Sequence, residues 1–443
     1  MLKNLLTDSS TISGLILLFF LPIIESFNRP LAYNLLLLGS LLIALPYFLR
    51  KKIEFDFLDV LFLIVLTVFS ISNIHSLIAM RSYTELMRYI AYFLVFIGIR
   101  KNPKKELIQK IFIAMVLVNS FVLSCLAIIY EIRGVYLPES PILGMNLFYP
   151  IYGHNSLADL LIFGIPIAIN LITVTKRKLL WLLANILSLF LILNLVLSFG
   201  RAAMLSLTIA FMALLLLKKI NIGVKSWYIA AISLGIITIL FFLSSFVYSN
   251  FLVNSKTKAK TIRGFYKPIE GEFRLNYMRQ AFIGLSLSPI FGTGLDTFRQ
   301  ISFENKEKDA YSMSYYVHNH YLQVLAETGV VGGTLFTLLV FLVLFALYRS
   351  MVNDRNAIFV NGIYIGLLAS SLQSLIDYNW QFFSVFLIYW MGIALLLIKT
   401  QGNYCFVVDS KIHYVFILIV IILFSFQIYV SGTPFYRWIL ITT

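Results

Sequence analysis

Charge is scarce in this chain, and so are histidine and cysteine. Only 12% of its 443 residues are charged, five are histidine and two are cysteine. A chain so poor in charge and 60% hydrophobic cannot hide its apolar surface in a soluble core. That excludes an ordinary globular domain and points to a polytopic membrane protein. Cys125 lies inside an apolar run and Cys405 in a connection, so neither a disulfide framework nor a thiolate metal site is defined. The external segments lack Asp-x-Asp and any His/Cys cluster with ligand spacing, so no tightly bound catalytic metal is indicated. No phosphate-binding glycine loop occurs, and the basic connections are too short for an ATP-driven domain, so no cofactor is expected. Internal repeats and low-complexity tracts are also missing.

What fills the chain is apolar runs. They fall near 11–27, 32–49, 57–74, 83–99, 108–130, 156–174, 178–199, 201–217, 226–248, 329–349, 357–376, 381–398 and 412–431. Each is close to the roughly 20 helical residues that span a bilayer core of about 30 Å. The short gaps around Arg201 and Asp377, together with the terminal run, leave about 12–13 transmembrane helices and an all-α fold. The first run lacks a small-residue cleavage site and reads as a retained span. Alternate connections are basic: Arg50-Lys51-Lys52, Arg100-Lys101, Lys176-Arg177-Lys178, Lys218-Lys219, Arg349 with Arg355, and Lys399 with Lys411. The positive-inside rule puts these, and the N-terminus, in the cytoplasm. Much of the net charge of +15 is therefore topological, and nucleic acid is not an expected partner.

Most of the remaining connections are short, but one runs from about Asn250 to Thr328. Connections of that length in compact proteins are functional or disordered, and its aromatic residues and turn signals favour a folded, functional loop. The chain is thus expected to divide into N-terminal transmembrane helices (1–249), a long external loop (250–328) and C-terminal transmembrane helices (329–443).

The scarce titratable groups concentrate at the edge of that loop, in "SYYVHNHYLQVLAETGVVGG" (Ser314 to Gly333). Asn319 suits the N-cap of a short helix, and Gly329 its C-terminal cap. His318 and His320 have two readings there. Either they are interfacial residues bonded to headgroups and loop carbonyls, or one is a general base able to take a proton from an attacking hydroxyl. Upstream, a helix is expected from about Phe273 to Leu287, ending before Ser288-Pro289 with Gly292 and Gly294 turning the chain. Arg274 in its first turn has the planar fork and the helix N-terminus of a diphosphate receptor. The alternative is a solvated arginine or an ion pair with Glu270 or Glu272, and Arg279 follows on the same helix. Arg201 stands between two apolar spans, where it needs a partner, a wet cavity or a route to the interface. Arg81 and Arg88 add positive charge on the outer side. Asp377, in a tight external turn, suits the orientation of a histidine or an arginine. Together these groups fit glycosyl transfer from a lipid diphosphate to a hydroxyl, since arginines can neutralise the charge that develops on the leaving group.

At these residues the chain resembles the O-antigen ligase and polymerase superfamily of bacterial inner-membrane proteins. The family signature is His-Asn, nine residues, then Gly-x-x-Gly. Here His318-Asn319 is followed by His320 to Thr328 and then Gly329-Val-Val-Gly332. The Arg274 helix and its glycine turn look like the family's, and Arg201 matches an arginine that opens a central span. "YGHNSLAD" (Tyr152 to Asp159) and "SLIDYNWQ" (Ser374 to Gln381) are weaker echoes. The resemblance covers roughly 150–398. It implies that His318 is catalytic and that Arg201 and Arg274 bind the undecaprenyl diphosphate of a lipid-linked glycan donor. His320 remains a secondary candidate, with Asn319, Arg279, Arg88 and Asp377 in support. It further implies a multi-pass protein of the inner membrane, surrounded by membrane lipids, with its active site facing the periplasm. The acceptor is lipid A–core for a ligase or the growing glycan for a polymerase, and the ligase is favoured by the completeness of the motif. A flippase or exporter of lipid-linked sugars is the alternative from another class. The absence of repeat symmetry speaks against it.

Overall fold

The computed structural model describes residues 2–50, 52–133, 155–198, 200–216, 235, 274–306, 313–353, 360–397 and 406–432. Helices dominate them. In the N-terminal part these are α1 (Leu2–Phe19), α2 (Leu21–Phe27), α3 (Arg29–Phe48), α4 (Phe57–Ile74), α5 (Ala79–Arg100), α6 (Lys105–Arg133), α7 (Asn155–Val174), α8 (Lys178–Leu197) and α9 (Arg201–Leu216). Two short helices follow, α10 (Arg274–Leu287) and α11 (Phe298–Glu304). The chain continues with α12 (His320–Asn353), α13 (Val360–Gln373), α14 (Phe383–Leu396) and α15 (Ser410–Gly432). The exception to the helical pattern is a small antiparallel ribbon, β1 (Lys52–Phe55) with β2 (Phe406–Asp409), in which Lys52 pairs Asp409.

Six helices among the described residues are long and apolar enough to cross a bilayer: α3, α4, α6, α7, α8 and α12. Taken as one span bent by 42°, α1 and α2 add a seventh, while α9, α14 and part of α15 are apolar but shorter. The chain is an all-α polytopic membrane protein. Twelve of the thirteen apolar stretches hold a described helix; the stretch 226–248, apart from Gly235, lies outside the described residues.

Two packed groups build the bundle. In one, α3 lies between α1 and α5, and α14 packs on α5; in the other, α13 lies against α7 and α9. Small residues allow the close approaches that helices in lipid rely on: a Cβ on Gly362 of α13 would stand 2.7 Å from the Pro166 carbonyl oxygen of α7. The two groups share an aromatic centre in which Trp380, Trp390, Phe62 and Phe93 are fully or almost fully buried. By contrast, α8 exposes Leu179 to Leu183, as expected of a face turned to hydrocarbon. Outside the bundle, Ala281 of α10, Phe298 of α11, Val317 and Ala326 form a second, small apolar cluster. That cluster fastens α10 and α11 to the start of α12.

Candidate active site

The His-Asn motif folds by rules local to it. Asn319 caps α12, its Oδ1 accepting the Leu322 N–H at 2.9 Å. The first segment of α12 ends at Gly329, whose backbone (φ 69°, ψ −177°) breaks the helical path. A Cβ there would lie 2.2 Å from the Ile290 carbonyl oxygen, and one on Gly292 (φ 74°) 2.2 Å from that of Glu327. The two glycines let the turn after α10 cross the kink in backbone contact. Val330 N–H donates to Pro289 O and Gly294 N–H to Glu327 O, both at 2.8 Å. The helix expected from about Phe273 to Leu287 is α10, which carries Arg274 in its first turn.

His318 sits just before that cap with φ 58°, and Asp296 is the other described non-glycine residue with positive φ. Its Nδ1 lies 3.2 Å from Asp377 Oδ1. Asp377 follows α13 and also accepts the Tyr378 N–H at 2.9 Å and the side-chain amide of Asn155, the first residue of α7. The two fainter echoes of the family therefore meet each other at the histidine. Tyr277 of α10 stacks on the imidazole at 5.7 Å, and Tyr378 meets it edge-on at 4.6 Å. Burial holds both phenols above their ordinary range, the Asp377 charge adding to this at Tyr378, so they are neutral walls. Among the described residues His318 Nε2 has no hydrogen-bond partner, and 21% of the side chain is exposed. A ring with one nitrogen facing a carboxylate and the other open has the geometry of an oriented base.

The two arginines read as diphosphate ligands each open a helix, Arg274 α10 and Arg201 α9. Arg274 is one turn from Tyr277, and its charge acts on the phenols of Tyr277 and Tyr378. Arg201 opens α9 next to Gly200, where a Cβ would stand 2.5 Å from that of Ala158, one turn along α7 from Asn155. Both are half-buried, whereas Arg279 is exposed on α10. Arg88 is fully buried: it pairs with Glu85 and donates to Gln381 O at 3.0 Å and Oε1 at 3.2 Å. His320 also lies in the core. It is 1% exposed, its Nε2 is 3.2 Å from the Tyr89 hydroxyl, and Trp380, Phe336 and Phe386 surround its ring. His154 lies outside the described residues.

Sequence reasoning gave no role to Glu327. This buried carboxylate accepts the N–H of Asp296 (2.9 Å) and Phe298 (3.3 Å) and the amide of Gln323 (3.1 Å). Gln323 in turn accepts the Val317 N–H at 3.3 Å, so the two side chains tie the His318 loop to the turn after α10. The signal was there: a glutamate retained beside a membrane span is costly unless satisfied. Glu25 was missed as well. It accepts the N–H of Phe383 and Ser384 at 2.8 Å each, capping α14 from a helix at the other end of the sequence.

Residues 186–337 match a family model described as O-Antigen ligase. The matched stretch runs from α8 into α12 and contains Arg201, Arg274, His318 and the glycine pair, while Asn155 and Asp377 fall outside it. No curated protein sequence matches the chain. Relatives of this kind are membrane glycosyltransferase-like enzymes, ligases or polymerases. Over the segment 186–337 the chain is similar to the O-antigen ligase family.

Proposed function

We propose that this protein is a glycan ligase of the inner membrane, moving a glycan from undecaprenyl diphosphate to a lipid A–core hydroxyl at the periplasmic face, without metal or nucleotide. The observation that carries the reading is the His318–Asp377 pair, 3.2 Å apart, beside two helix-opening arginines. With its Nδ1 proton directed at Asp377, His318 Nε2 takes the proton of the acceptor hydroxyl. The acceptor oxygen then bonds to the anomeric carbon as the bond from that carbon to the diphosphate oxygen breaks. The electron pair leaves on the diphosphate, where Arg201 and Arg274 offset the charge by bidentate contacts. His320, buried against Tyr89, is a packing residue in this scheme, and Asn319 acts as the helix cap. Arg88 supports the 379–381 turn next to Asp377. The test is to incubate purified protein with an undecaprenyl-diphosphate glycan, with and without lipid A–core. Glycan on lipid A–core, formed in chelator and without nucleotide, is the expected result. Longer lipid-linked glycan made without that acceptor would identify a polymerase instead, and no product in either arm would remove the reading.

A further inference from the structure

A second group of polar side chains lies two rings away from His318 and takes no part in the scheme above. Tyr316 stacks on Tyr378 at 5.0 Å, and Tyr378 is the ring that meets His318 edge-on. Beyond Tyr316, and acting on it electrostatically, is Asp296. Arg81 of α5 reaches to 3.9 Å from Asp296 Oδ2, and Arg299 of α11 lies over the Tyr315 ring at 4.0 Å with its charge felt at Asp296.

Asp296 is unusual in what its carboxylate does not do. Its backbone N–H is bound by Glu327, but among the described residues no donor lies within hydrogen-bond distance of either carboxylate oxygen. The 3.9 Å approach of Arg81 is too long for a hydrogen bond. Yet 32% of the side chain is exposed, so the oxygens are within reach of a ligand. Burial of the rest pushes the carboxyl above its ordinary range, against the pull of Arg81, Arg88, Arg29 and Arg299. An acid in that position gains from any good donor.

The chemistry of the flanking groups narrows the ligand. An anion would be repelled by Asp296, and a cation by Arg81 and Arg299. A hydroxyl suits both, because it donates to the carboxylate and accepts from a guanidinium. A hydroxyl oxygen about 2.8 Å from each partner spans a gap of this width. Neighbouring hydroxyls on one ring serve two such partners at once, and the Tyr315 and Tyr316 rings lie beside the charged groups, as aromatic rings do at small-molecule sites.

We propose that Asp296, with Arg81 and Arg299 beside it, is a saccharide-binding subsite that holds the hydroxyls of a neutral sugar ring. It rests on the reading of the protein as a glycosyltransferase, and the sugar belongs to either the acceptor or the donor glycan. Asp296→Asn is the variant of choice. Asparagine tolerates positive φ as aspartate does, and the carboxylate makes no hydrogen bond that the fold would lose. Equilibrium binding to detergent-purified protein is measured, without turnover, for labelled lipid A–core oligosaccharide and, separately, for an undecaprenyl-diphosphate-linked oligosaccharide. A charged hydrogen-bond acceptor lost from a binding site weakens affinity about ten- to a hundredfold. That loss for the first probe assigns the sugar to the acceptor, and for the second to the donor. Unchanged affinity for both, or no binding of either by the wild-type protein, overturns the proposal. Saccharide binding that depends on Asp296, in a protein that transfers nothing, keeps the subsite and removes the transferase reading.

Discussion

Helix α5 has arginines at both ends, and the two ends are built differently. At one, Arg100 donates to Asp56 and Asp59 at 2.8 Å each, and Lys101 lies 3.3 Å from Asp59. Asp56 and Asp59 also form the capping box of α4, so every carboxylate oxygen there has a partner. At the other end Arg81 stands 3.9 Å from an aspartate whose carboxylate accepts no hydrogen bond among the described residues, close to the Tyr316–Tyr378–His318 row of rings. Both clusters are polar and largely withdrawn from water, yet one is closed and the other open. Buried charge alone therefore does not single out a candidate site in this chain; what separates the two ends is the polar capacity left unused at one of them.

Breaking the open end should show first in rate. His318→Ala removes the base and should lower transfer about 10²–10⁴-fold in a protein that still inserts and folds. Full activity in this variant would demote the edge to an anchor. Breaking the closed end should show in stability. Arg100→Ala leaves two buried carboxylates short of a partner, at a cost of about 3–5 kcal/mol. Denaturant unfolding in detergent measures the loss, and the rate per folded molecule should hold. Arg274→Lys exchanges a planar fork for a point charge, and a weakening of about ten- to a hundredfold is expected in donor titrations. Asp377→Asn should fall in the same range, read in kcat with donor binding kept. The smallest effect belongs to His320→Ala, whose rate should change by less than about tenfold, below the range of a general base. A loss there equal to that of His318→Ala would exchange the two histidines' roles.

Much of the site was legible because its signals are local. The Asn319 cap, the break at Gly329 and the limits of α10 each depend on residues within a turn or two, where capping and glycine rules apply. The contacts that make the site a unit are not local. Asn155 and Asp377 are 222 positions apart, and Glu25 caps a helix 358 positions away; no periodicity encodes such pairs. The two histidines show the same limit. Their types and spacing were plain, but only the packing of Phe336, Trp380 and Phe386 around His320 separates the buried ring from the open one.

The kink at Gly329 also turns the spacing of the motif into a ruler. Asn319 starts the helix and Gly329 stops it against the Ile290 backbone, so the nine residues between them fix an axial distance and an angular phase together. An α-helix rises about 1.5 Å and turns about 100° per residue. One residue inserted between Asn319 and Gly329 would leave the glycine seated and swing the histidine about a quarter-turn away from Asp377. One residue inserted after Gly332 would alter only the span. Tolerance to length changes in this helix should therefore stop abruptly at the first glycine.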